Sequence, residues 1–284
     1  MTVVTPLRYG LNEAADASIG PTILASDPPG GARVVEAFGD VATADHIAVL
    51  VPGNGHHLGN YFTSTEAHSP RSRGQLLLRT MQELAPESRS AVVVWLGYHS
   101  PPEWYNAITN EPAYAGASDL ARLTRYLPRS AHITLVGHSY GSTVAGLALA
   151  VARAEDYVAL GSPGMGVMRR SELGSRTRLW AAYGETDRIR LIPQLRVGRY
   201  GLGRSPLHRE IGATRFGTGD IPGHCGYYAE GSESLLNVAR ISLGRYAEVT
   251  PAGVVSTSSP TERRAIARHI AAADITAEDM EKAA

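Results

Sequence analysis

Ser139 lies in Gly137-His138-Ser139-Tyr140-Gly141, and its neighbours decide whether this G-x-S-x-G pattern carries chemistry. Ahead of it runs Ala131-His132-Ile133-Thr134-Leu135-Val136, a β-branched apolar stretch that reads as a buried strand. Behind it, Ser142 to Val151 is small and apolar and reads as a helix packed on a sheet. A serine on so sharp a strand-to-helix turn takes a strained backbone conformation and leaves almost no room two residues to either side, a demand that Gly137 and Gly141 meet. The rival reading is a glycine-rich packing turn. A serine hydroxyl is a poor nucleophile at neutral pH, so the chemical reading requires a base, an acid to orient it and donors for an oxyanion.

In this arrangement the order along the chain is serine, acid, histidine, each on a loop at the carboxyl end of a strand. Past Ser139 the histidines are His208, His224 and His269. His269 falls in a terminal helix beyond the sheet, and His208 precedes the last strand, at its wrong end. His224 follows that strand in Gly219-Asp220-Ile221-Pro222-Gly223-His224, a flexible loop able to turn an imidazole back toward the serine; it is the candidate base, against the plainer role of a surface-loop histidine. The acid should follow the penultimate strand, where Leu179-Trp180-Ala181-Ala182-Tyr183-Gly184-Glu185-Thr186-Asp187 offers Asp187 first. Glu185 and Asp220 remain rivals, and any of the three can instead be an exposed turn carboxylate.

One oxyanion donor is expected from the Tyr140 N–H, at the start of the helix, where the dipole also favours negative charge. The second is expected from Asn54 N–H in Pro52-Gly53-Asn54-Gly55-His56-His57, where glycines such as Gly53 allow the backbone close to a substrate carbonyl. The rival for this loop is a metal site using His56, His57 and His68 or His99. Adjacent histidines point to different sides and no carboxylate stands at ligand spacing, so no metal is expected.

These residues need elements to hold them, and the pattern supplies alternating strands and helices. Strands are expected at Thr22–Ala25, Ala32–Ala37, His46–Val51, Ala91–Leu96, His132–Val136, Tyr157–Leu160, Leu179–Tyr183 and Glu210–Phe216. Helices are expected at Gly74–Leu84, Ser118–Tyr126, Tyr140–Arg153 and Ser232–Leu243. The central strands are continuous apolar runs, as in strands buried on both faces of a mostly parallel sheet. The order gives an α/β class: a three-layer α/β/α sandwich with a mostly parallel eight-stranded sheet, its first two strands a possible antiparallel hairpin at the edge. The domain should span 1–249, followed by a Pro/Ser/Thr linker at 250–259 and a helical tail at 260–284 whose start is marked by Ser259-Pro260-Thr261-Glu262.

Twenty-seven basic and 27 acidic side chains among 284 residues give zero formal net charge, which argues against a nucleic-acid partner. The single cysteine, Cys225, excludes an intramolecular disulfide. No apolar window is long enough for a membrane span and no signal-peptide pattern opens the chain, so a cytoplasmic protein is expected.

The chain resembles the α/β-hydrolase superfamily, and within it an actinobacterial family long catalogued as a domain of unknown function. The resemblance runs from about Ile23 to Leu243. It rests on Val51-Pro52-Gly53-Asn54-Gly55, Trp95-Leu96-Gly97-Tyr98, Gly137 to Ser142, Leu160-Gly161-Ser162-Pro163-Gly164, and Gly223-His224 followed by Tyr228 and Gly231-Ser232-Glu233-Ser234-Leu235. It implies Ser139 as nucleophile, His224 as base and Gly53-Asn54 as the oxyanion turn. The family often has threonine at the place of Asn54 and more polar residues than Cys225-Gly226 after the histidine, which leaves the triad intact and substrate preference open. Cys225 reads as small filler beside the histidine.

The function expected is a serine hydrolase, cleaving a carboxylic ester of a small-molecule acyl substrate through an acyl-enzyme and needing no cofactor. Alternatives with the same triad are a thioesterase, an amidase or an acyltransferase in specialised metabolism. An alternative of another class is a non-catalytic binding protein, which has no need of all three residues. Residues 98–116 read as a long insertion whose Trp104, Tyr105 and Tyr114 form either an apolar wall for substrate or packing that pins the loop. From Arg188 to Arg209 the chain is rich in arginine, as a receiver for an anionic head group or as a solvated face.

Overall fold

The computed structural model of the chain describes residues 6–10, 21–28, 31–62, 69–102, 109–174, 176–198 and 200–253. Trp104, Tyr105, His68 and His269, most of the expected linker and the expected C-terminal helix lie outside them. Eight strands form one sheet: β1 (Thr22–Ser26), β2 (Val34–Phe38), β3 (His46–Val51), β4 (Ser90–Leu96), β5 (His132–His138), β6 (Asp156–Leu160), β7 (Arg178–Ala182) and β8 (Thr214–Arg215). Their spatial order is β1-β2-β4-β3-β5-β6-β7-β8. β1 pairs antiparallel with β2, and β2 antiparallel with β4; every later pairing is parallel. β4 and β6 are buried throughout and β3 along all but its first residue, as their unbroken apolar runs require.

The helices are α1 (Leu58–Tyr61), α2 (Pro70–Leu84), α3 (Glu111–Tyr126), α4 (Tyr140–Ala148) and α5 (Glu233–Ser242). From β3 the chain crosses through α2 to β4 on one side, then returns through α3 to β5 on the other. Right-handed crossovers in opposite directions put α2 and α3 on opposite faces; α4, between β5 and β6, continues in the direction of α3. The packing agrees, with α3 against α4 and α2 against α5. The three-layer sandwich follows. The connections leave β3 and β5 toward opposite faces, and the crevice at such a switch point is where α/β sheets bind ligands.

Several boundaries differ from expectation for local reasons. α2 begins four residues early because Ser69 caps it, its hydroxyl accepting from Ser72 N–H at 3.1 Å, with Pro70 in the first turn. α3 begins at Glu111, not Ser118, with a proline in its first turn, so Tyr114 lies on a helix and not in a loop. α4 ends at Ala148, where turn hydrogen bonds to the Ala148 carbonyl take over. β8 shrinks to two residues, since the Ile211 and Gly212 N–H groups both bond the His208 carbonyl and curl Glu210 to Gly212 into a turn. Among the described residues no helix is long and apolar enough to cross a membrane.

The tightest demand in the fold is at Gly141. A Cβ there would lie 2.1 Å from the Val51 carbonyl oxygen and 2.4 Å from that of Pro52, main-chain atoms that cannot rotate away. Gly141→Ala should therefore lower the unfolding free energy by about 3 kcal/mol or more. Gly223→Ala is the control: φ is +48° but nothing lies within 4 Å, so only the left-handed backbone is penalised, by about 1 kcal/mol. Urea unfolding midpoints compare the two, and equal losses would refute the steric explanation.

Candidate active site

Ser139 terminates β5 with φ 53° and ψ −131°, the one non-glycine residue at positive φ among those described. Such a conformation costs of order 1–3 kcal/mol and persists only when surroundings over-determine it. Here they do. Ser139 N–H donates to the Leu160 carbonyl at 2.9 Å, and the Ser139 carbonyl accepts from Ser142 N–H at 2.9 Å and Ser142 Oγ at 2.6 Å. Gly53 presses on it from the loop after β3, where an added Cβ would fall 2.8 Å from Ser139 Cβ.

Asp187 and His224 come together from the loops after β7 and β8, with Nδ1 to Oδ2 at 2.9 Å. Asp187 is almost fully buried, and Glu185 and Asp220 are exposed. Tyr227 O–H also donates to Asp187 Oδ2, at 2.6 Å, while accepting from Gly184 N–H at 2.9 Å. Ile189 N–H donates to Oδ1 at 2.9 Å. Burial by itself raises the Asp187 carboxyl, but these donors outweigh it and hold the group below the ordinary carboxylate range. Burial and the neighbouring carboxylate push the Tyr227 phenol up, so it stays a donor. His224 Nε2 is buried and has no hydrogen-bond partner among the described residues, Ser139 included. His208 is far from this pair in role, its Nδ1 accepting from Glu210 N–H at 3.1 Å.

A second layer fixes the loop that carries His224. His138 Nε2 is 2.8 Å from the His224 carbonyl, which can only accept, so Nε2 bears the proton and Nδ1 is left to face Arg73 Nη1 at 3.4 Å. The two imidazoles pack with centroids 4.8 Å apart. Burial, then the Arg73 charge, pushes His138 well below its usual range and keeps it neutral. Arg73 is itself buried, with its guanidinium over the Tyr228 ring at 5.4 Å and Nε unpaired. Tyr227, His138 and Arg73 escaped sequence reasoning because each acts across the fold. The adjacency of Tyr227 to Tyr228 in the motif after His224 was the one local signal.

The Gly53 carbonyl accepts from Tyr98 O–H at 3.2 Å and Ser100 O–H at 3.0 Å. The N–H of a trans peptide points opposite its carbonyl, so these bonds turn the Asn54 N–H away from Tyr98 and Ser100. Neither Asn54 nor Tyr140 N–H takes part in a loop or turn hydrogen bond among the described residues. His56 is half-buried, and burial with the Arg73 charge lowers it to about 4, surroundings that disfavour a cation. Among the described residues no three His, Cys, Asp or Glu side chains group as metal ligands. Cys225 is exposed rather than filling space beside His224. Tyr114 is half-exposed on α3, its hydroxyl 3.3 Å from Arg196 Nη1.

A sequence model of the family described as Alpha/beta hydrolase matches residues 27–197, more than half of the chain. The chain belongs to this family. Relatives of this chain include the uncharacterized protein Rv2079 of Mycobacterium tuberculosis, 29% identical over 252 residues that cover 76% of this chain and 37% of that protein. Mb0988c of Mycobacterium bovis, also uncharacterized, is 29% identical over 174 residues, 58% of this chain and 65% of its own. The chain thus spans just over a third of the length of the first relative and under two thirds of the second. Among solved structures the chain is similar to XC6422 from Xanthomonas campestris, a serine hydrolase without lid (14% identity, TM-score 0.45, 82% of this chain and 98% of that one). It is also similar to Est1E from Butyrivibrio proteoclasticus (13%, 0.45, 79% and 99%).

The neutral, buried His138 carries a pH signature. Its folded value lies below the unfolded one, so between the two the unfolded chain binds a proton that the native protein refuses. Stability should be complete above about pH 6.5 and fall on acidification by up to about 1.4 kcal/mol per pH unit for this one group. Urea titrations from pH 7 to 5 should show a shallower slope in His138→Gln; an unchanged slope would assign the loss to other groups.

Proposed function

We propose that this protein is a serine hydrolase that cleaves carboxylic esters through an acyl-enzyme on Ser139. The observation that carries the reading is the 2.9 Å bond between the buried Asp187 carboxylate and His224 Nδ1, with Nε2 unpaired among the described residues and the His224 ring packed against that of His138, the residue before the strained Ser139. Ser139 Oγ attacks the ester carbonyl while His224 Nε2 takes its proton. Asp187, kept ionised, accepts from Nδ1–H and stabilises the imidazolium. Backbone N–H groups of Tyr140 and Asn54 receive the oxyanion. Collapse expels the alcohol, which leaves with the proton from His224. Water, deprotonated by the same imidazole, then attacks the acyl carbon and frees Ser139. Gly53, packed against Ser139, flanks the acyl group.

A fluorophosphonate should label the wild type and spare Ser139→Ala, which should lose about a thousandfold or more of kcat/KM on an activated ester while keeping its urea midpoint. An unlabelled wild type would favour a binding protein. A matched panel of thioesters and amides ranks the acyl chemistry that the same serine prefers.

Asp187→Asn should cost about ten-thousandfold in kcat, because an amide favours the wrong imidazole tautomer and cannot stabilise imidazolium. Glu185→Gln and Asp220→Asn, both at exposed carboxylates, should stay within about threefold. Equal, mild losses at all three sites would place the acid elsewhere.

A further inference from the structure

The loop that begins at the candidate acid has a surface unlike that of the other described residues. Nine large hydrophobic side chains are exposed among the described residues, and four of them, Leu191, Leu195, Val197 and Tyr200, fall within ten positions. A fifth, Tyr114, is bonded to this segment through Arg196. Leu191 and Val197 are the extreme cases, 75% and 72% exposed. This is not loose chain. Val197 and Tyr200 exchange both backbone bonds, at 2.9 and 3.1 Å, Gly203 N–H donates to the Leu195 carbonyl at 3.0 Å, and Tyr200 bridges to Thr109 before α3. A 3-10 turn at Arg188–Leu191 and a hydrogen-bonded hairpin closed by Val197 and Tyr200 therefore hold apolar side chains out in solvent, against the usual gain from burying them.

Charge makes the patch specific. Residues 188–215 hold seven arginines and one acidic residue, Glu210, in a chain of zero formal charge. Arg196 is neutralised by Glu172 at 2.7 Å, whereas Arg188, Arg190 and Arg215 are exposed with no carboxylate partner among the described residues. Arg190 and Arg215 also line a cavity of about 180 Å³ floored by Ile189, Ile192 and Leu207. A second copy of the chain is a poor occupant, since a twofold interface would set these arginines against one another. Apolar and tyrosine side chains beside unpaired arginines fit the boundary of an anionic bilayer, where the rings and alkyl groups enter the headgroup region and each guanidinium adds about fivefold in affinity.

We propose that the 3-10 turn at Arg188–Leu191 and the hairpin closed by Val197 and Tyr200 dock this protein on an anionic lipid surface, with a phosphate head group received by Arg190 and Arg215. The 3-10 turn starts at Asp187, whose carboxylate bonds Ile189 N–H, so docking would set the membrane beside the candidate site. Resting on the ester-hydrolase reading, the substrate class that follows is an ester-bearing amphiphile resident in that surface.

Ser139→Ala protein separates docking from turnover. It should co-sediment with phosphatidylcholine vesicles containing phosphatidylglycerol, bind pure phosphatidylcholine at least about tenfold more weakly, and lose binding as salt rises. Leu191→Ser/Val197→Ser and Arg188→Gln/Arg190→Gln should each weaken binding about tenfold or more with urea midpoints unchanged. Absence of vesicle binding, equal binding to both lipids, or variants that bind like the parent would overturn the proposal. So would a wild-type dimer in light scattering that the Leu191/Val197 variant makes monomeric, which would assign the patch to a self-interface. None of these readouts depends on whether Ser139 turns over an ester.

Discussion

Ser139 is held at positive φ by three separate stretches of chain, and the site depends on that constraint. The Leu160 carbonyl fixes its N–H, Ser142 fixes its carbonyl and Gly53 closes over its Cβ. These contacts come from the ends of β6, α4 and β3, so the elbow can exist only where those strands lie side by side in register. The parallel pairings β3 with β5 and β5 with β6 supply that register, and Gly137 and Gly141 remove the side chains that would prevent it. A backbone strain of order 1–3 kcal/mol is carried by the most deeply buried part of the sheet, where local relaxation would break many contacts at once.

Electrostatics around this point are arranged so that buried charge is answered by directed donors or by neutral groups. Asp187 keeps its charge through three donors, His224, Tyr227 and Ile189. Arg73, buried without a carboxylate partner among the described residues, is met by the Tyr228 ring and by Nδ1 of a neutral His138. The guanidinium thereby sets the tautomer in which His138 Nε2–H reaches the His224 carbonyl. A positive group one residue layer below the imidazole thus orders the loop that presents it. The same low-dielectric setting that strengthens these bonds makes loss of any single partner expensive.

Rigidity and exposure divide along the chain. Strand β5 and the elbow it leads into are buried and over-determined, whereas the segment after Asp187 is hydrogen-bonded yet turned outward with apolar and cationic side chains. Function in α/β folds concentrates on loops at the carboxyl ends of strands because the sheet holds their roots while their tips remain free to vary. Here one such loop begins at a buried carboxylate and carries the densest run of exposed large apolar side chains among the described residues.

What the sequence by itself determined is the part written in local chemistry. Continuous β-branched runs specified the central strands, Gly-x-Ser-x-Gly specified the elbow, and their chain order pointed to Asp187 and His224, because periodicity and glycine placement act within a few residues. Even the early starts of α2 and α3 were legible in Ser69-Pro70 and Asn110-Glu111-Pro112, signals that a search for apolar periodicity passes over. Tertiary structure alone decided among Asp187, Glu185 and Asp220 for proximity to His224, since three nearby carboxylates differ only in which one the strand ends bring into burial and reach. It alone placed Tyr227 on Asp187 and Arg73 under His138, the latter 65 residues apart in the chain. It also turned Leu191 and Val197 outward, because whether an apolar side chain is covered depends on what packs over it, and no local pattern records that.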